Sequence, residues 1–194
     1  MANFDYTKLK PYVITLTRNS PVDVSYRTMI NSGVSGVVVE AGYLYEASTH
    51  KVVDNFRNPL AYDQAQKALD SNLPIGWMMY ARASNVVEAN SEIYQLSFPI
   101  RKYSPMLGVW LSLELNGQSR QANDLILDKY RDELTRLGLK GKIGIRATKD
   151  SIKTVTWSDK QHDWNLWLVE HVSKTSEIEQ LLDPKFFDMK GTYV

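Results

Sequence analysis

The chain has no cysteine among its 194 residues. That absence excludes disulfides, thiolate-ligated zinc and thiol nucleophiles, and leaves the redox compartment open. Charge of one sign is lacking too: 23 basic against 22 acidic side chains give a formal net charge of +1, with no basic block. Electrostatic capture of nucleic acid is not expected from such a balance. No apolar run reaches the ~20 residues of a membrane span. The opening segment, MANFDYTKLKPYV, carries no apolar run of the signal-peptide kind, so neither a leader nor a membrane partner is expected. Histidine is scarce: His50, His162 and His171 stand far apart with no H-x-x-x-H spacing, so no metal is expected. The first strand-like run is not followed by G-x-G-x-x-G, and G-x-x-x-x-G-K-[ST] is missing, which removes the main support for a nucleotide site. There is no G-x-S-x-G elbow either. No cofactor is expected.

What is present is a globular composition, 43% apolar and 23% charged, in a chain long enough for one domain over residues 1–194. Short apolar runs alternate with amphipathic stretches. Strands are expected at 12–17, 36–42, 73–81, 106–115, 141–147 and 164–171. Helices are expected at 22–33, opened by Ser20 before Pro21 and stopped by Gly33, and at 58–72, with Pro59 in the first turn. Two more are expected: 84–103, ended by Pro99, and 120–138, with Leu125, Leu127, Tyr130, Leu134 and Leu137 near one side and Gly138 as its cap. Strand–helix alternation of this kind means an α/β protein with a mainly parallel sheet, either an open doubly wound sheet or a barrel.

In a parallel barrel the functional groups sit at the C-terminal ends of the strands. Those positions hold Arg18 and Asn19, Glu40, Tyr80 and Arg82, Ser112 and Glu114, Arg146, then Glu170 and His171. Each also has a plain structural use: an acid can solvate the rim and an arginine can pair with it. Trp77, Trp110, Trp157, Trp164 and Trp167 lie in or near predicted strands beside Tyr43, Tyr45 and Tyr80. Such rings either stack on sugar faces or fill a core. In GVWLSLEL, alternation puts Trp110, Ser112 and Glu114 on one face and Val109, Leu111, Leu113 and Leu115 on the other. The purely apolar face suits the helices, which turns Glu114 inward at the mouth and raises it above the other candidates.

The order of several segments resembles the glycoside hydrolase family 25 lysozymes, the Chalaropsis-type muramidases of bacteria and phages. The likeness covers nearly the whole chain at a low level. SGVSGVVVEAG resembles the second-strand segment of that family, and ALDSNLPIGWMMYARASNVVEANSE its third strand with flanking helices. MLGVWLSLEL falls where the family has a strand ending Asp-x-Glu. GKIGIRAT and WNLWLVEHV resemble the later "vgiY" and "lWiA.y" strands, and LLDPKFFD the closing Asp-x-Asn-x-Phe segment. The resemblance implies a TIM-like (β/α) barrel, irregular in its later units, and a peptidoglycan-related ligand.

It also implies a depleted catalytic set. The family's first-strand acid falls at about Leu16, its Glu-Gly at Tyr43-Leu44, and the aspartate of Asp-x-Glu at Ser112. Glu114 keeps the acid position, and Asp183 matches in the closing segment. Glycosidases place two carboxyl groups around the scissile bond, and groups that act as a set are lost at large cost in rate. Two readings follow. One is a catalytically degenerate lysozyme-like barrel, a structural or wall-contacting subunit of a phage tail, baseplate or related assembly, found in the virion or in host cytoplasm before assembly. The other is an active muramidase with Glu114 as general acid, working with Asp183 or a recruited Glu40. Tyr80, Arg82, Trp110, Glu40 and Ser112 are the expected substrate-binding residues. Expected partners are peptidoglycan glycan or other virion subunits. A sugar-metabolising barrel is a third reading, without a phosphate-binding glycine loop to support it.

Overall fold

The computed structural model describes residues 12–21, 23–42, 45–46, 51–52, 58–115, 119–148, 150–156 and 164–169. In chain order the elements are β1 (Tyr12–Leu16), α1 (Tyr26–Asn31), β2 (Val34–Gly42), β3 (Tyr45–Glu46), β4 (Lys51–Val52) and α2 (Ala61–Asp70). They continue with β5 (Ile75–Ala81), α3 (Val86–Lys102), β6 (Val109–Leu113), α4 (Arg120–Arg136), β7 (Ile143–Thr148) and β8 (Asn165–Val169). Six strands pair in parallel in the order β1-β2-β5-β6-β7-β8. Neighbours in the sheet are therefore successive in the chain, with only the short β3–β4 hairpin interposed. A doubly wound sheet reverses its order at a switch point. This one never does, and its strands curl into the wall of a TIM-like α/β barrel.

Two apolar clusters sit on opposite faces of that wall. The larger packs Val37, Val39, Ile75, Trp77, Met79, Val109, Leu111, Leu113, Ile143 and Ile145 against helix residues such as Ala65, Leu96, Ile126 and Leu134. The smaller fills the concave side with Val13, Val38, Met78, Trp110 and Trp167, backed by Leu107. Alternation along each strand produces this division. Glycine makes room for the inner cluster. A Cβ on Gly144 would run into the Trp110 ring, and one on Gly36 would come within 2.6 Å of Leu107 Cδ1.

Local signals explain the helix ends, with corrections. α1 starts at Ser25, whose side chain accepts from the Thr28 amide, and not at Ser20. Ser20 instead closes a turn with Thr17, its hydroxyl accepting from the Thr17 amide at 2.9 Å. Asn85 caps α3 and Ser119 caps α4 in the same manner. Pro99 does not end α3. It lies buried inside the helix, which runs on to Lys102. Proline gives up one helical hydrogen bond, but Leu96, Pro99 and Ile100 are all buried, and the Tyr103 amide returns to the Pro99 carbonyl at 2.8 Å. Leu125 points to solvent, and Ile126 takes its place on the buried side of α4 with Asn123, Leu127, Tyr130 and Leu134. Gly138, at φ 83°, follows α4 as expected, with the Leu139 amide reaching back to the Leu134 carbonyl.

Candidate functional site

Register arranges the concave side in rows. Glu40, Met78, Trp110, Gly144 and Asn165 form one row across β2, β5, β6, β7 and β8. Tyr80, Ser112, Arg146 and Trp167 form the next, closer to the C-terminal ends. Beyond it, the Glu114 amide donates to the Ala81 carbonyl at 3.0 Å, extending the β5–β6 ladder and bringing Glu114 beside Arg82.

The two arginines set the chemistry of this mouth. Arg82 donates through Nε to Glu114 Oε2 at 2.5 Å, and its Nη2 lies 2.5 Å from the same oxygen. The two side chains are 39% and 37% exposed, so the pair contributes at most about 1 kcal/mol to stability. Its weight is chemical. Both Arg82 nitrogens take up one carboxyl oxygen of Glu114, the oxygen that faces β5. One row down, Arg146 Nη1 donates to Ser112 Oγ at 3.2 Å, and its guanidinium carbon stands 5.2 Å from the centre of the Trp167 ring. Ser112 is buried. The row of Tyr80, Ser112, Arg146 and Trp167 holds a cation and no carboxylate.

Of the expected substrate residues, Tyr80, Arg82 and Ser112 lie at the mouth. Trp110 does not. It is 2% exposed, meets Trp167 edge to face at 5.7 Å, and donates its indole N–H to the Leu107 carbonyl. It packs the bore and presents no ring to a ligand. Trp77 and Trp164 belong to the cluster under the helices. Glu40 is buried in the deeper row, with Asn58 donating to its backbone carbonyl at 2.8 Å. From Glu114 it is two strands across, about 10 Å, and four residues down, about 13 Å along the strand direction. At backbone level that is wider than the ~5–9.5 Å between carboxyl groups of a glycosidase pair.

Leu16 faces away from the mouth. It packs under the helices with Tyr26 and the other members of the outer cluster. The inward β1 residues are Val13 and Thr15, paired with Gly36 and Val38. β1 therefore offers no inward carboxylate, and Leu16 faces the helical layer. Arg18 and Asn19 are exposed in the turn after β1. Asp183, Glu170, His171, Tyr43, Leu44, Trp157 and the other two histidines lie outside the described residues. Among the described residues no group of three His, Asp or Glu side chains could hold a metal ion, and no helix is long and apolar enough to cross a membrane.

Sequence reasoning missed a buried acidic cluster behind the mouth. Glu92 is 1% exposed and accepts a very short hydrogen bond from the Tyr130 hydroxyl. Burial pushes the Glu92 carboxyl up to about 8 and the Tyr130 phenol well above its usual range. The loop after β5 ends on this cluster at Ser84, whose amide donates to Glu88 Oε2 at 2.7 Å. The Ser84 hydroxyl also donates to Glu88 Oε2. The available signal was spacing: Glu88 and Glu92 fall on the α3 stripe of Ala89, Ile93, Leu96 and Ile100, where a carboxylate needs a partner.

No family model and no curated protein sequence matches the chain. Solved structures do. GHIP, a virulence factor and glycosyl hydrolase 25 of Streptococcus pneumoniae participating in host cell invasion, matches with a TM-score of 0.68 at 17% identity, over 91% of this chain and 76% of that one. The CTP1L endolysin matches with a TM-score of 0.65 at 16% identity, over 84% of this chain and 54% of that one. The modular autolysin LytC of Streptococcus pneumoniae, in complex with a synthetic peptidoglycan ligand, gives 0.62 at 14% identity over 74% of this chain. The match spans only 33% of that autolysin's length. At these identities the likeness carries the fold alone: a TIM-like α/β barrel similar to those of the glycoside hydrolase 25 protein and the endolysin.

Proposed function

We propose that this lysozyme-type barrel contacts cell-wall glycan without cleaving it, as a subunit of a phage tail, baseplate or related assembly. One observation carries the reading. Where the fold would need a second inward carboxyl near Glu114, the described mouth presents Ser112 bound to Arg146, while Glu114 itself is bound to Arg82. A barrel that has lost its acid set is free to serve as a binding surface. The glycan part of the reading is supported by the autolysin solved with a peptidoglycan ligand. The phage setting is supported by analogy with the endolysins of this fold, one of them from bacteriophage P40 of Listeria monocytogenes.

The test is a paired assay on purified cell walls. Sedimentation with the walls and no dye release is the expected outcome. Dye release that vanishes in Glu114→Gln sinks the proposal. Co-purification from infected cells addresses the assembly: recovery with other virion subunits supports it, and recovery as an isolated chain opposes it.

The second reading, an active muramidase, is favoured by one observation. Glu114 stands at the mouth in the position that the family resemblance gives to the acid, partly open to solvent. In that case Arg82 must release it on substrate binding, and Asp183 must supply the partner carboxyl.

A further inference from the structure

The polarity of α3 is inverted. Its two acids, Glu88 and Glu92, are buried and held by Ser84 and Tyr130, while Val87, Tyr94 and Phe98 stand 72%, 60% and 45% exposed. With Ser91 these three occupy positions 87, 91, 94 and 98, the spacing of one helix face. The stripe runs ~16 Å down the outside of the barrel. The rings of Tyr94 and Phe98 stand at 81° with centroids 5.2 Å apart, so a face of one and an edge of the other form a corner open to solvent. Asn90, Ser91 and Gln95 flank that corner with two amides and a hydroxyl.

The neighbouring helices present a different surface. α2 carries the Lys67–Asp63 pair outward, and α4 the pairs Lys129–Glu133, Arg131–Asp128 and Arg136–Glu133. From Val86 to Ile100, α3 shows solvent no charged side chain. Such a face gives no purchase to a ligand that binds by charge. Size narrows the choice further. The three side chains leave on the order of 300 Å² of apolar surface open, short of the ~800 Å² that each partner gives to a stable protein interface. A narrow, neutral ligand fits better, one with an apolar C–H face for the rings and hydroxyls for the amides. A glycan strand has that chemistry. α3 begins directly after the loop that carries Arg82, with Asn85 as its cap, so the Val87 end of the stripe adjoins the mouth.

We propose that the outer face of α3, centred on Tyr94 and Phe98, is a glycan-contact site outside the mouth, which takes the uncharged backbone of a strand against its rings. It rests on the glycan-contact reading above and names a surface that makes the contact.

The probe is chitotetraose, an uncharged N-acetylglucosamine oligomer, titrated into the isotope-labelled chain and followed by NMR. Shift changes are expected at Ser91, Tyr94, Gln95 and Phe98. The double variant Tyr94→Ala, Phe98→Ala alters only exposed positions and should fold. It is expected to weaken binding roughly tenfold or more, and Phe98→Tyr to preserve it. Shifts confined to Tyr80, Ser112 and Arg146 overturn the proposal, as does an oligomer that moves no resonance of α3. So does self-association of the wild type that the double variant loses, since the occupant is then a second copy. Sedimentation with walls separates this site from the broader reading. Walls that hold the wild type and release the double variant support the site. Walls that hold both equally refute the site and leave the broader reading standing, and walls that hold neither sink both.

Discussion

Two nitrogens of Arg82 converge on a single oxygen of Glu114, each at 2.5 Å. The contact joins the ends of β5 and β6 at the rim, where solvent reaches both side chains. Its contribution to stability is accordingly small. A double-mutant cycle of Arg82→Met and Glu114→Gln, read by urea denaturation, should return a coupling of about 0–1 kcal/mol. A coupling of several kcal/mol would mean that the pair is a structural bond of the fold.

Ser112→Asp restores by substitution the aspartate expected of the family. Arg146 Nη1 is already 3.2 Å from Ser112 Oγ, so the new carboxylate would be met by a guanidinium. The variant should fold, and dye release from cell walls should stay at the blank level. Lysis by this single variant would show that Arg146 does not control the position.

Gly144→Ala tests the filling of the bore. The added methyl collides with the indole of Trp110, which is itself wedged against Trp167. Overpacking of this kind costs about 1–3 kcal/mol. A lower melting temperature and an altered tryptophan near-UV circular dichroism band are expected. An unchanged melt would mean that Trp110 has room to move.

Glu92 makes stability depend on pH. Its carboxyl is raised from 4.5 to about 8 by burial. Between those values the folded chain keeps a proton that the unfolded chain has lost, so stability falls as pH rises through the window and levels off above it. The benefit is complete below the unfolded value. Glu92→Gln removes this titration, and urea midpoints at pH 5, 6.5 and 8 should flatten relative to wild type. The loss in wild type is on the order of a few kcal/mol. Parallel curves for the two proteins would assign the pH dependence to another group.

The parallel sheet was legible because β2, β5 and β6 are buried on both faces and read as near-continuous apolar runs. The facing of Trp110, Ser112 and Glu114 followed from a period of two, and the structure places them as that period requires. What periodicity could not supply was partnership. Arg82 and Arg146 were visible as rim cations, but only register shows that one meets Glu114 and the other Ser112. Leu16 illustrates a different limit. A count from a distant motif carries no information on facing, and one residue turns a side chain to the other face of a strand. Glu92 and Tyr130, 38 residues apart in the chain, join two helices, beyond any local pattern. The β3–β4 hairpin, two residues on each side, is too short to leave a periodic trace.

The wedge of Trp110, Trp167, Met78, Val38 and Val13 has a consequence for anything long and chain-like. Its apolar side chains fill the described concave side below the mouth, so a polymer entering there would meet an apolar floor. A glycan strand would have to lie crosswise over the rim, touching it along its flank and leaving by sideways displacement. Contact of that kind needs no free chain end, and a protein built this way could settle on the middle of an intact sacculus.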